Sequence, residues 1–392
     1  MPFLLSSQNV VEYLNQHGFS LDIDSNSIEI EKKVAKNFNL LLTLPDGRKL
    51  LVKQEPLKLD GQAVGEFLQE WRIQQFIQQF PELHHFVPLL PELLHFNSEN
   101  AIVVFNYLTD YCDLADFYAK QNWFPTEIAT AIGHLIGQIH ASTFNQVKYQ
   151  NFLAPDLAER LASDRIHLAQ GLERIGPDVF SEFPVESLKF FALYQRYDSL
   201  GQAIAELSTA VQLCCLTHND LRPNNILLHD DWETLSIAPE QPNFLRVIDW
   251  ERGNWGDPAL DLGLMIASYL QIWLNSLVVS SSLDIQESLR LAMTPLEQLQ
   301  PSINALFKAY FSQFPEILHQ RPDFVQRTVQ FAGLGLIRQI NALIQYQKSF
   351  GNMGICMLQV AKSLLCRPEQ AIATVFGVSE ATLIASVNSV QA

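Results

Sequence analysis

The chain has 392 residues, with 26 Lys and Arg against 42 Asp and Glu, a formal charge of −16 that repels nucleic acid and anionic membrane. Hydrophobic residues make up 48% and charged ones 17%, which excludes a disordered chain and allows a large core. Five cysteines, an odd number with Cys214 and Cys215 adjacent, argue against a disulfide framework and for a reducing cytoplasm.

Met1 to Tyr13 lack the basic start and small-residue cleavage site of a secretory signal, which fits a cytoplasmic location. Residues 39–44 and 49–53 are apolar runs around Pro45-Asp46-Gly47-Arg48, and they predict a hairpin whose second strand ends on Lys53, with Lys49 at the turn. Val64, Phe67, Leu68 and Trp71 recur at helical spacing, and Ile73, Phe76, Ile77 and Phe80 form a second stripe, so a helix apolar on two sides is predicted up to Pro81. Glu66 and Glu70 share one face of it. Residues 101–105, ending on Phe105, predict a strand, with Asn106-Tyr107-Leu108 after it.

Residues 154–210 and 283–392 are mainly helical in pattern, and no repeat or low-complexity linker marks a further domain. Residues 211–217 predict a short buried strand, 226–228 a second, and 244–248 a third with Asp249 at its carboxyl end. Residues 262–279 are nearly uncharged over a length that would suit a membrane span, but Ser268, Gln271, Asn275 and Ser276 interrupt them, and a buried helix of a soluble protein is expected. No His or Cys pair has metal-ligand spacing, so zinc is not expected.

The loop His218-Asn219-Asp220-Leu221-Arg222-Pro223-Asn224-Asn225, then Val247-Ile248-Asp249-Trp250, then Gly256-Asp257-Pro258-Ala259-Leu260-Asp261 carry the chemistry. Phosphoryl transfer asks a protein mainly for positioning and charge neutralisation, and a kinase loop supplies an Asp as proton acceptor and an Asn five residues later for metal. Asp220 and Asn225 have that spacing, and Asn225 and Asp249 offer the oxygen ligands that magnesium prefers. Arg222 could neutralise charge on the transferred phosphate or could form an ordinary salt bridge; both readings stand.

These segments resemble the aminoglycoside phosphotransferase and choline kinase superfamily, small-molecule kinases of protein-kinase-like fold. The match runs through His218, Asp220, Leu221, Pro223 and Asn225, then Ile248, Asp249, Trp250 and Glu251, then Gly256, Asp257, Pro258 and Asp261. Asn219 stands where the family usually has Gly, and Arg222 where it commonly has His. The resemblance implies that Lys53, rather than Lys49, pairs with the nucleotide phosphates, and that Glu70 or Glu66 holds it, with Glu70 preferred. It places Phe105 and Tyr107 at the adenine side, where backbone groups do the bonding and Tyr107 could equally be packing. Residues 34–38 contain no glycine, so Asn37 would have to reach the phosphates with its side chain. Residues 132–141 resemble the family's helix ending in Leu-His-Ala, with His140 a structural residue beneath the loop; His218 and Asp261 support the site, Asp261 by opening a central helix and bracing the loop backbone.

The expected fold is therefore α+β and two-lobed: residues 1–105 as a small antiparallel-sheet nucleotide lobe, and 106–392 as a large, mostly helical catalytic lobe that binds substrate. The implied reaction moves the γ-phosphoryl group of ATP, with GTP still open and Mg2+ as cofactor, to a hydroxyl of a small molecule. The acid-rich composition, with Glu251 and Asp257, is compatible with an amine-bearing acceptor. A small-molecule partner is expected, with neither nucleic acid nor membrane, and the oligomeric state is open. Two alternatives remain. One is a pseudokinase-like binding module. The other is a protein kinase, disfavoured because seven residues between Asp249 and Asp257 leave no room for a long activation segment.

Overall fold

The computed structural model describes residues 3–21, 28–33, 36–56, 65–158, 187–235, 244–278, 287–288 and 291–388. Val34 and Ala35 of the glycine-free loop and Val64 of the first stripe lie outside them. The chain folds as two compact units, Met1–Asp113 with Asn225–Gly253, and Leu114–Asn224 with Asn254–Ala392. The first unit takes in a return of the chain, 225–253, that a single cut at residue 105 does not include.

In the first unit β1 (Glu29–Lys33), β2 (Phe38–Thr43), β3 (Lys49–Gln54), β4 (Leu93–Asn97) and β5 (Ile102–Asn106) form an antiparallel sheet in the order β1-β2-β3-β5-β4. The β2–β3 turn closes through Leu44 N–H to Arg48 O at 2.8 Å and Gly47 N–H to Leu44 O at 2.9 Å. Gly47 holds φ +86°, which a side chain would resist. Along β3 the faces alternate. Leu50 and Val52 are buried in a cluster with Leu5, Val10, Tyr13 and Leu14, while Leu51 and Lys53 face the side of Phe67, Val103 and Phe105. Burial of each such aliphatic side chain contributes about 1.5–3 kcal/mol.

The predicted helix runs from Glu66 to Gln79, and its two-sided apolar pattern needs correcting. One face, carrying Phe67, Glu70, Ile73, Gln74 and Ile77 with Phe76 beside them, is buried, whereas Leu68 is half exposed. Packing of Phe67 against Val103 and Phe105 sets that rotation. The buried Glu55 carboxylate accepts the N–H of Gly65 at 2.7 Å and that of Phe67, meeting donors that a helix start leaves open. A second sheet joins β6 (Tyr111–Asp113) to β8 (Ile226–His229) and β8 to β9 (Leu245–Val247), while β7 (Cys215–Thr217) belongs to the other unit.

In the second unit β7 (Cys215–Thr217) pairs antiparallel with β10 (Asn254–Gly256). The strand expected over 211–217 shrinks to its last three residues because its partner is three residues long and ends where Asp257 starts a helix. That helix, Pro258–Asn275, has Asp257 as N-cap, accepting the Ala259 N–H at 3.0 Å, and Pro258 in its first turn. Its uncharged run is core: it crosses the Phe324–Gln347 helix so closely that a Cβ on Gly263 would meet Phe331 Cβ at 2.5 Å. Among the described residues no helix is long and apolar enough to cross a membrane. The Thr126–Thr143 helix meets the Leu296–Gln313 helix at Gly133 and Gly137, where a Cβ on Gly137 would lie 2.8 Å from Tyr310 O.

Candidate active site

In the first unit, strand alternation points Lys53 away from the aliphatic core, and its Nζ lies 5.5 Å from the centre of the Phe105 ring. The ammonium donates to Asp249 Oδ1 at 2.7 Å. Asp249 follows β9 in left-handed backbone, φ +58°, as the N-cap of the 250–252 turn, and the Trp250 indole N–H anchors that turn on Val247 O at 2.9 Å. Asn225 precedes β8, and its carbonyl accepts the Ile248 N–H at 2.9 Å, so β8–β9 pairing brings the backbone of Asn225 beside the residue before Asp249.

Glu70 reaches the same group from the buried face of its helix. Lys53 bonds Asp249 and not Glu70, whose oxygens have no partner within normal hydrogen-bond geometry; the Trp250 N–H approaches them more loosely. Burial pushes the Glu70 carboxyl up to about 8; Lys53 opposes that, and Asp249 and Glu251 add to it. For Lys53, burial favours the neutral amine, but Asp249, Glu70 and Glu251 together outweigh it and leave the pKa raised. Glu66 instead holds Lys36, and Lys36 is also 4.0 Å from Glu251. Burial, with the negative charges of Glu66 and Asp249, lifts Glu251 to about 7.

Asn37 has its amide oxygen buried without a hydrogen-bond partner. Tyr107 is partly exposed and donates its backbone N–H to Lys49 O at 2.9 Å. The sequence assigns Lys36 no role, because a Lys in the link between β1 and β2 carries no pattern of its own.

In the second unit Asp261 organises the candidate catalytic loop. Its Oδ2 accepts the His218 N–H at 2.7 Å and its Oδ1 the Asn219 N–H at 2.8 Å. Buried His140 lies with Nε2 3.3 Å from Asp261 Oδ2 and Nδ1 3.0 Å from the Tyr310 hydroxyl. Asn219 takes φ +63°, which accounts for the Gly usual at that position, and its Oδ1 accepts the Thr217 hydroxyl at 2.8 Å. A side chain on Gly256 would overlap that same hydroxyl. The Asp220 N–H donates to His218 Nδ1 at 3.3 Å, and Arg222 donates to Asp220 Oδ2 at 3.1 Å. Asp257 is fully engaged: it caps its helix, accepts the Gln212 N–H at 3.0 Å and binds the equally buried Arg321 at 2.6 Å. Tyr310 and Arg321 were invisible in the sequence because their partners lie 170 and 64 residues away.

The sequence pattern of the phosphotransferase enzyme family matches residues 33–281, more than half of the chain. The chain belongs to that family. Its fold is protein-kinase-like. The choline kinase from Cryptosporidium parvum Iowa II superposes with a TM-score of 0.52 at 12% identity, covering 95% of this chain and 98% of that one. A choline/ethanolamine kinase family protein from Mesorhizobium loti gives 0.48 at 13%, over 94% and 99%. A macrolide 2'-phosphotransferase from Brachybacterium faecium gives 0.43 at 15%, over 92% and 99%. No curated protein sequence matches the chain. The family membership covers Lys53, Glu70, Asp220, Asn225, Asp249 and Asp261 alike, since all lie within the matched span.

Proposed function

We propose that the protein is a small-molecule kinase moving the γ-phosphoryl group of ATP to a hydroxyl, with Asp220 as proton acceptor. The observation that carries this reading is the ion pair of Lys53 with Asp249, 196 residues apart in the chain and 2.7 Å apart in space. Burial, in a site that gathers one ammonium with Asp249, Glu251 and Glu70, raises the carboxyl pKa values of Glu70 and Glu251, the kind of perturbation that clusters at functional sites.

The donor set suits magnesium. Asn225 and Asp249 offer hard oxygens, and magnesium is commonly held by one or two carboxylates together with phosphates and water. Phosphate oxygens and water would complete such a shell. When bound, magnesium would neutralise charge on the phosphate oxygens. Lys53 is assigned to the nucleotide phosphates, held by Asp249 at 2.7 Å with Glu70 buried beside it. Phe105 and Tyr107 are assigned to the adenine side, Asn37 to the phosphates, and GTP is a second donor to compare.

As the acceptor oxygen bonds to the γ-phosphorus and the bond to the bridging oxygen breaks, Asp220 takes the hydroxyl proton and ADP leaves. Arg222 orients the Asp220 carboxylate, and Asp261 with His218 holds the loop. Incubating the protein with γ-labelled ATP, magnesium and a broad pool of hydroxylated metabolites should yield a labelled product. Asp220→Asn should lower that transfer by about 10²- to 10⁴-fold while nucleotide affinity stays within a few-fold. Full activity in Asp220→Asn would move the base elsewhere. Tight nucleotide binding by the unmodified protein with no acceptor ever labelled would favour a pseudokinase-like binding module.

A further inference from the structure

We infer that the acceptor is an uncharged, polyhydroxylated molecule of sugar or polyol size, recognised by side-chain amides; this rests on the kinase reading above. A cavity of about 510 Å³ lies wholly within the second unit. Arg222 and Asn224 of the catalytic loop line it together with Asn122, Gln271, Asn275 and Gln339. Arg222 also donates to Asp220 at 3.1 Å, so one side chain joins the cavity wall to the candidate base.

The chemistry of the wall selects the ligand. A primary amide carries an acceptor oxygen and two N–H donors, which matches a hydroxyl that both donates and accepts; Asn122 Oδ1 accepts the Thr294 hydroxyl at 2.8 Å and Gln271 reaches Gln339 at 3.5 Å, and the remaining donors and acceptors of the five amides can meet several hydroxyls at once. Arg222 adds a buried Nε–H that has no hydrogen-bond partner, a donor that a ligand oxygen would satisfy.

A cationic amine finds no carboxylate partner among the described lining residues. The described lining residues include no Asp or Glu, and the one charged residue, Arg222, is positive and paired with Asp220. The one aromatic residue among them, Tyr118, is 3% exposed and shares a hydroxyl contact of 3.0 Å with Tyr269, so it offers no open ring face to an ammonium. Asp257 is buried and committed to Arg321, and Glu251 belongs to the other unit, beside Lys36. Moving an ammonium from water into such a site would cost desolvation that amide oxygens offset only in part, with no carboxylate among the described lining residues. The volume falls in the range of small-molecule sites, which run from roughly 300 to 1,000 Å³.

The test uses the full chain with magnesium and ATP and matched acceptors: glucose against glucosamine, ribitol and inositol against choline. ADP release gives kcat/KM, and ligand-detected NMR gives binding without turnover. The neutral member of a pair should be preferred by on the order of tenfold or more, and Gln271→Glu or Asn275→Asp should shift the ratio toward the amine by a similar factor. Thermal melting of each variant checks folding, and Gln339→Leu, which should raise KM for the neutral acceptor more than it lowers kcat, supplies a second readout. An equal or greater kcat/KM for the amine overturns the inference and leaves the kinase reading standing. Nucleotide binding with neither binding nor transfer for any neutral member also overturns it. Failure to bind magnesium–ATP at all removes the kinase reading itself.

Discussion

Asn219 and Asp249 hold left-handed backbone, φ +63° and +58°, beside the candidate base and at the end of β9. That conformation costs a side-chain-bearing residue about 1–2 kcal/mol, and Asn and Asp tolerate it best. At Asn219 the bond from the Thr217 hydroxyl, at 2.8 Å, offsets part of the cost. Asn219→Ala loses the bond and keeps the strain, so urea denaturation should show a loss of about 1–3 kcal/mol, whereas Asn219→Gly trades bond for relief and should be nearly neutral. Equal losses in the two variants would mean that backbone strain plays no part.

Glu70 yields a second test at this scale, through pH. Its folded pKa of about 8 lies above the ordinary 4.5, so the folded protein keeps a proton that the unfolded chain releases between those values. The stabilisation from that proton is complete below the unfolded value and lost as pH rises through the folded one. Glu70→Gln stays neutral throughout. Between about pH 5 and 8.5 it should therefore gain stability relative to the unmodified chain, by at most about 1.4 kcal/mol per pH unit. Parallel pH profiles for the two proteins would show that Glu70 titrates as an ordinary carboxylate.

Among the elements, the crossing of the Thr126–Thr143 and Leu296–Gln313 helices supports the candidate catalytic loop through Tyr310, His140 and Asp261. Gly133 and Gly137 let the backbones approach; the approach sets the Tyr310 hydroxyl 3.0 Å from His140 Nδ1, and His140 meets the carboxylate that holds the loop. Gly137→Val would push its Cβ onto the Tyr310 carbonyl. It should destabilise the protein by about 1–3 kcal/mol through overpacking, and in the folded fraction it should lower transfer more than nucleotide affinity. Unchanged transfer in a destabilised Gly137→Val protein would separate the helix crossing from catalysis.

At the scale of the whole molecule, ligand linkage gives a test that needs no acceptor. Anything that binds only the folded chain stabilises it by RT ln(1 + [L]/Kd), about 2.7 kcal/mol at a hundredfold excess over Kd. Magnesium–ATP should raise the melting temperature, and a chelator should remove most of the rise. Lys53→Ala should abolish the shift and Lys49→Ala should keep it, because Lys49 lies at the turn end of β3 while Lys53 lies beside Asp249. An identical rise with chelator present would rule out a metal-assisted nucleotide site.

Local pattern was enough for much of this molecule. Alternation and turn chemistry announced the β2–β3 hairpin, the apolar runs announced β8, β9 and the central helix, and three short polar segments, by their spacing and their resemblance to a phosphotransferase family, pointed to phosphoryl transfer. Those signals are properties of a dozen neighbouring residues, so a single sequence contains them. The pairings were decided by packing: that Leu68 faces out while Glu70 is buried, that Lys53 meets Asp249 while Glu66 takes Lys36, that Asp257 is spent on Arg321, and that Tyr310 stands behind His140. Each depends on which surfaces close helices and sheets against one another across tens to hundreds of residues, and nothing in the local period of a helix or strand encodes the identity of a distant partner.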